Sequence, residues 1–194
     1  MKLSIVIPIY NSSKIIDKLI NQLNSKIDSQ IVKKFEIILI NDCSKDNSWK
    51  IIKKICKKDL RVRGINLLKN YGQHSATFVG LKFASGKKII TMDDDLQHPA
   101  SSIMSIYKKL DKYDLCYTIY LNRKHPTWKK IISYLNNVYS SFLLNKPINI
   151  YHSSFRGFKS NICKKIINFK KPIIFLDSLL LRESKNICTI KVKH

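Results

Sequence analysis

An α/β fold, a mostly parallel sheet flanked by helices, is predicted by three features of the chain. Short, continuous apolar runs suit strands buried on both faces, amphipathic segments of helical period lie between them, and the connections are brief and polar. The 194 residues and 44% hydrophobic content suffice for one domain with a substantial core. Leu3 to Ile9 reads as the first strand. Asn11-Ser12-Ser13 then offers cap residues ahead of Ile15, Ile16, Leu19, Ile20 and Leu23 at helical spacing. Phe35 to Ile40 is the second strand, followed by polar Asn41-Asp42-Cys43-Ser44 and a helix with Trp49, Ile52, Ile55 and Cys56 on one side. Val62 to Leu67 is a third strand, Gly72 a turn, and Gln73 to Ala84 a helix closed by Ser85-Gly86. A fourth strand, Lys88 to Met92, runs into Asp93-Asp94-Asp95.

That aspartate triplet is the most informative stretch. Ends of parallel strands point the same way, so Asp42, Tyr10 and Asn11 share a rim with Asp93, Asp94 and Asp95, where open α/β sheets bind ligands. Bunched carboxylates repel one another unless something positive sits between them. Mg²⁺ or Mn²⁺ takes oxygen ligands, and Mg²⁺ is usually held by one or two carboxylates plus substrate phosphates. A metal-bound phosphate ester is therefore expected, with Asp42 free to accept hydrogen bonds from a base or ribose. The plainer reading makes the triplet an acidic cap for a helix starting near Pro99. No glycine fingerprint follows the first strand and no P-loop pattern occurs, which excludes dinucleotide-binding and ATPase readings.

Composition narrows the choice further. The formal charge of +23 invites a nucleic-acid reading, yet only Arg61, Arg63, Arg123, Arg156 and Arg182 among 36 basic residues are arginine, the side chain preferred for phosphate and base contacts. The lysine excess accompanies Ile and Asn, as an AT-rich genome would produce, so no nucleic-acid partner is expected. Five cysteines without paired spacing argue against a disulfide framework or a zinc site. No apolar run reaches the roughly 18 to 20 residues of a membrane span, and the start of the chain reads as a strand and not a signal peptide. A cytoplasmic protein is expected. Trp128, Ile131, Ile132, Leu135, Val138, Tyr139 and Phe142 form a stripe that either packs on the core or lies peripherally at the inner face of the cell membrane.

Four ordered stretches, Ser4 to Asn11, Ile40 to Asp46, Asn70 to His74 and Thr91 to Gln97, together resemble the inverting glycosyltransferases of family 2, most closely the dolichyl- or undecaprenyl-phosphate sugar transferases. The resemblance implies the nucleotide-diphospho-sugar (GT-A, Rossmann-like) fold and a single catalytic domain over 1–194. Residues 1–98 would form its nucleotide-binding half and 99–194 an acceptor half cut short at the C-terminus. It implies Pro8 and Tyr10 along the nucleotide pocket and Asp42 on the base. Asp93, Asp95 and Gln97 would match the D-x-D-x-Q element on Mg²⁺ or Mn²⁺, with Asp94 beside them on the donor. Lys129 and Ser133 fall where relatives touch phosphate, and Arg156 keeps the arginine of a Gly-Asp-Phe-Arg segment whose aspartate is Ser154 here. Cys43 stands where glycine is usual.

A UDP- or GDP-sugar donor and a polyprenyl-phosphate or cell-surface glycan acceptor are expected, as in cell-envelope glycan synthesis. Asp95 and Asp93 would act at the leaving diphosphate, with Lys129 and Arg156 adding positive charge. A hydroxyl acceptor also needs a general base, for which Asp177 is the candidate, its alternative being a helix cap. A non-catalytic donor-binding fragment, working beside a separate membrane-anchoring chain, is the alternative function.

Overall fold

The computed structural model describes residues 2–27, 32, 34–120, 153–168 and 175–192. The first half follows the sequence pattern closely: β1 (Leu3–Ile9), α1 (Ile16–Lys26), β2 (Phe35–Asn41), α2 (Ser48–Lys58), β3 (Val62–Asn66), α3 (Gln73–Phe83) and β4 (Lys88–Thr91). A 3₁₀ turn (Ala100–Ser102) leads into α4 (Ile103–Lys109) and β5 (Leu115–Tyr120). Further along lie β6 (Arg156–Lys159), α5 (Ser160–Ile167), α6 (Leu176–Glu183) and β7 (Ile187–Val192).

These strands form one sheet in the order β3-β2-β1-β4-β6-β5-β7. β1 pairs in parallel with β2 and β4, β2 with β3, and β5 with β7. β6 alone among them is reversed, antiparallel to both β4 and β5. Alternation along the strands supplies two cores. Leu3, Ile5, Ile7 and Ile9 pack with α1, α2 and α4 on one face, while Val6, Ile38 and Ile40 pack with α3, α5 and α6 on the other. Each fully buried Leu or Ile contributes about 1.5–3 kcal/mol, and the few buried polar residues of β1, β2 and β4, Ser4, Glu36, Asn41 and Thr91, lie near strand ends, where each makes a side-chain hydrogen bond.

At the end of the sheet opposite the aspartates, buried Glu36 accepts hydrogen bonds from Ser4 Oγ (2.6 Å), Ser85 N (2.8 Å) and Ser85 Oγ (2.7 Å). Burial raises the Glu36 pKa and these bonds, with Arg63 nearby, lower it below the usual value overall. Gly86 is required in this corner, since a Cβ there would meet the Ser4 nitrogen at 2.5 Å.

Two capping expectations are corrected. α1 begins at Ile16 with no side-chain cap, because Ser12 Oγ turns to Asp94 and the Ser13 N–H turns to Asp46. The triplet does not cap the 3₁₀ turn after Pro99 either, since that turn has no side-chain cap. All five cysteines are free thiols. Among the described residues, no helix is long and apolar enough to cross a membrane.

Candidate functional site

Parallel β1, β2 and β4 deliver their carboxyl ends to one rim, and reversed β6 brings its amino end to the same place through the Thr91–Arg156 register. A cleft of about 460 Å³ opens there, bounded by Pro8 and Tyr10 at the end of β1, Asp42 behind β2, Asn70 and Gly72 ahead of α3, Gln73 at its start, and Asp93, Asp94 and Asp95 behind β4. Its volume is that of a small-ligand site. Asp42 and Asp95 thus meet in one cavity, as parallel strand ends require.

Local loop chemistry fixes the walls. Asn11 and Cys43 have left-handed backbones, φ 54° and 57°. Asn11 donates its N–H to Ser44 Oγ (3.0 Å) and accepts the Lys45 N–H on Oδ1 (2.8 Å), joining the β1 and β2 loops. Asp46 completes the seam by accepting the N–H groups of Ser13 and Ser48, each at 2.9 Å. Asp42 is buried at 3% exposure and receives the N–H groups of Tyr71 and Gly72, both at 2.8 Å. Its carboxylate therefore shapes the loop ahead of α3, and any base contact would use its remaining lone pairs. Gly72 supports this turn with φ 82°, a backbone disfavoured for side-chain-bearing residues although the space beside it is open.

The three adjacent aspartates have different surroundings. Asp94 turns inward, accepting from Ser12 Oγ (2.5 Å) and the Tyr10 N–H (3.3 Å), so it ties the β1 loop to the β4 loop. Burial raises its pKa above the ordinary value despite those bonds. Asp93 accepts from Gln73 Nε2 on one oxygen and from Ser154 Oγ (2.6 Å) on the other. Asp95 is exposed, as is Gln97, whose N–H it accepts at 3.0 Å. Between them Leu96 has φ 62°, a strained conformation for a residue with a Cβ.

Hard carboxylate oxygens at the cleft suit Mg²⁺ or Mn²⁺ better than a soft metal. Among the described residues no group of three or more His, Cys, Asp or Glu converges as a metal site. A cation here would depend on one or two carboxylates and the phosphates of a substrate. That donor set fits the expected D-x-D-x-Q element, with Asp95 and Gln97 exposed and Asp93 partly buried.

Arg156 and Asp177, expected as a phosphate contact and a general base, lie next to one another in a buried setting. Both are 3% exposed, and they pair with each other through Arg156 Nη1 and Asp177 Oδ1. Tyr117 donates its hydroxyl to the same carboxylate oxygen at 2.7 Å, and burial drives the Tyr117 pKa well above its usual value. Asp177 is in the first turn of α6 without being its cap. The structure thus brings these two residues together beneath the rim, apart from the residues that line the cleft. Lys129, Ser133 and the Trp128 to Phe142 stripe lie outside the described residues.

Sequence reasoning missed four participants: Ser12, Gln73, Ser154 and His98. His98 is 6% exposed, accepts the Asp93 N–H on Nδ1 at 3.0 Å and holds Nε2 3.7 Å from Asp93 Oδ2. Its ring stacks on Phe155 with centroids 5.0 Å apart. A histidine five residues after Asp93 was a readable signal, but its stacking partner is distant in sequence. His74 packs against Phe175 at 5.4 Å, consistent with a packing role.

A wound sheet with carboxylates gathered at this rim defines the class of GT-A nucleotide-sugar transferases, and solved structures of that class share the fold. TarS 1-349 of S. aureus superimposes with a TM-score of 0.70 and 21% identity, covering 98% of this chain and 58% of that one. The mannosyltransferase PcManGT of Pyrobaculum calidifontis, in complex with GDP-Man and Mn²⁺, gives 0.71 and 13%, covering 100% and 56%. The chain belongs to glycosyl transferase family 2, whose model matches residues 4–167. It is 30% identical over 193 residues to the undecaprenyl-phosphate 4-deoxy-4-formamido-L-arabinose transferase of Edwardsiella ictaluri (strain 93-146), covering 98% of this chain. The chain spans 59% of that relative's length.

Proposed function

We propose that this chain carries the donor site of an inverting, metal-dependent glycosyltransferase that moves a sugar from a UDP- or GDP-sugar to a polyprenyl phosphate. The observation that carries the reading is the meeting of Asp42 with Asp93, Asp94 and Asp95 around one cleft of about 460 Å³. Relatives support it: TarS was crystallised with UDP-GlcNAc, PcManGT with GDP-Man and Mn²⁺, and the sequence relative is named for an undecaprenyl-phosphate acceptor. Residues 1–98 would hold the donor and 99–194 contribute to the acceptor side.

Transfer joins an acceptor oxygen to the anomeric carbon as that carbon's bond to the diphosphate breaks, leaving the electron pair on the diphosphate. A Mg²⁺ or Mn²⁺ ion bound by Asp95, with Asp93 and Gln97, would supply Lewis-acid neutralisation of that charge, worth several kcal/mol. The chain's own contribution is positioning. Asp42 fixes the Asn70–Gly72 turn, Asp94 clamps the β1 loop bearing Tyr10, and α3 starts at the cleft, its N-terminal dipole favouring an anion. Lys129 and Ser133 are proposed at phosphate. Arg156 and Asp177 are better read as a structural pair, because each neutralises the other in a buried setting.

The acceptor follows from proton accounting. An attacking hydroxyl must lose a proton to a base, whereas a phosphate monoester is already ionised near neutral pH. Asp177 is engaged by Arg156 and Tyr117, and Asp93 by Gln73 and Ser154. An ionised lipid phosphate is thus favoured over a glycan hydroxyl, and it would place the protein peripherally at a membrane.

Release of UDP or GDP from a panel of nucleotide sugars, with Mn²⁺ and with and without polyprenyl phosphate, tests the reading. Asp95→Asn should lower transfer at least ~100-fold, about 2.7 kcal/mol of transition-state stabilisation. Full activity in that variant would remove the metal assignment. Donor binding without turnover would instead favour a binding fragment that needs a separate membrane-anchoring chain.

A further inference from the structure

We infer that the edge of the molecule formed by β3 and α3 is a docking surface for an anionic lipid bilayer. Of the five large hydrophobic side chains that stand exposed among the described residues, four belong to this stretch: Leu60 and Leu68, each 94% exposed, Tyr71 at 51% and Phe83 at 44%. β3 is the terminal strand of the sheet, and no further strand covers it among the described residues. Leu68 and Tyr71 border a shallow apolar hollow of about 430 Å³ floored by Phe78 and Val79 of α3. Leu68 and Tyr71 thus form one apolar patch at the carboxyl end of β3, with Leu60 and Phe83 flanking the other end of the strand, and contiguous apolar patches mark contact surfaces more often than scattered groups do.

Charge selects the occupant. From residue 60 to residue 92 the chain has six basic side chains and no Asp or Glu. Three cations lie directly over the aromatic rings of this edge: Lys69 over Tyr71 at 5.1 Å, Arg63 over Phe83 at 5.9 Å and Lys82 over Phe78 at 5.3 Å. Two acids lie beside them: Glu36 is buried, with Arg63 at 3.8 Å, and Asp59, next to Leu60, is neutralised by Arg61 at 2.7 Å. Exposed rings and leucines rimmed by lysine and arginine suit the boundary between acyl chains and anionic headgroups, where the rings enter and the ammonium groups stay at phosphate level. Tyr71 is continuous with the cleft through Gly72, so docking here brings the donor site to the lipid surface.

The inference rests on the lipid-acceptor reading only for its purpose. Vesicle binding reads it without turnover, so the two can fail separately. Flotation with phosphatidylglycerol/phosphatidylcholine vesicles should recover the wild-type chain, and pure phosphatidylcholine should recover far less. Leu68→Glu/Phe83→Glu should bind at least tenfold more weakly while keeping the wild-type circular dichroism spectrum. Lys53→Gln/Lys54→Gln removes the same net charge from α2, on the opposite face, and should bind within about twofold of wild type. Should the first variant lose its fold, Lys69→Gln/Lys82→Gln replaces it with the same tenfold expectation. Unchanged flotation of the edge variants, or an equal loss in the α2 control, overturns the inference. So does an edge that proves to join two copies of the chain, or to hold RNA, with no affinity for vesicles.

Discussion

His98 shows how a residue outside the lining of the cleft can govern the aspartate loop. Its Nδ1 satisfies the Asp93 N–H, and its ring is held between Phe155 and Tyr120 at 5.0 and 6.0 Å. His98→Phe keeps the packing and leaves that N–H without this acceptor, a cost of about 1–3 kcal/mol. The Mn²⁺ concentration for half-maximal activity should rise by roughly tenfold, as for lost supports of metal ligands. His98→Asn, which restores a nearby acceptor, should recover most of it, and a Mn²⁺ titration of both variants checks this. Cys43 poses the opposite problem. Its φ of 57° strains an L-residue, so Cys43→Gly should stabilise by about 1 kcal/mol, raising Tm by roughly 2–4 °C in a thermal melt. The adjacency of Asp93, Asp94 and Asp95 was plain from the sequence. Which one turns inward was not, because Ser12, Gln73 and Ser154 arrive from three distant segments.

Strands β1 to β4 and helices α1 to α3 were legible because their periodicity is local. β6 was not: its place between β4 and β5 and its reversed direction depend on pairings with residues some 40 to 70 positions away. That reversal carries Ser154 to the rim and buries Arg156 against Asp177 of α6. Removing one partner leaves an uncompensated buried charge, so Arg156→Met should destabilise by about 3–5 kcal/mol, while Arg156→Met/Asp177→Leu should recover much of the loss. Urea denaturation of the three proteins measures this. The element-level expectation that failed was helix capping, since the serines ahead of α1 bond to Asp94 and to the Asp46 loop across the rim instead. Local propensity yielded there to contacts that join loops.

For the whole molecule, acid should loosen the fold through its paired carboxylates. Arg61 holds the Asp59 carboxyl at about 2, and hydrogen bonds from Ser48 and Ser13 outweigh burial to bring Asp46 to about 2, both from 3.8. A folded-state pKa below the unfolded one gives stability that is present above pH 3.8 and lost as pH falls towards 2. Glu36 and Asp114 act in the same sense, and Asp94, raised by burial, in the opposite one. The urea midpoint should therefore fall steadily from about pH 5 to about pH 2, more steeply at low salt because the +23 charge repels itself.

The sequence alone determined the alternating α/β order, the shared rim of strand ends and the identity of the acidic cluster, since each follows from local periodicity and from the single direction of parallel strands. Only the tertiary structure decided that Asp95 faces outward while Asp94 clamps a loop, that Arg156 and Asp177 neutralise one another, and that the uncovered β3–α3 edge gathers leucines, rings and cations. Those outcomes depend on which distant groups compete for the same hydrogen-bonding atoms and the same buried space, and such competition leaves no periodic trace along a chain.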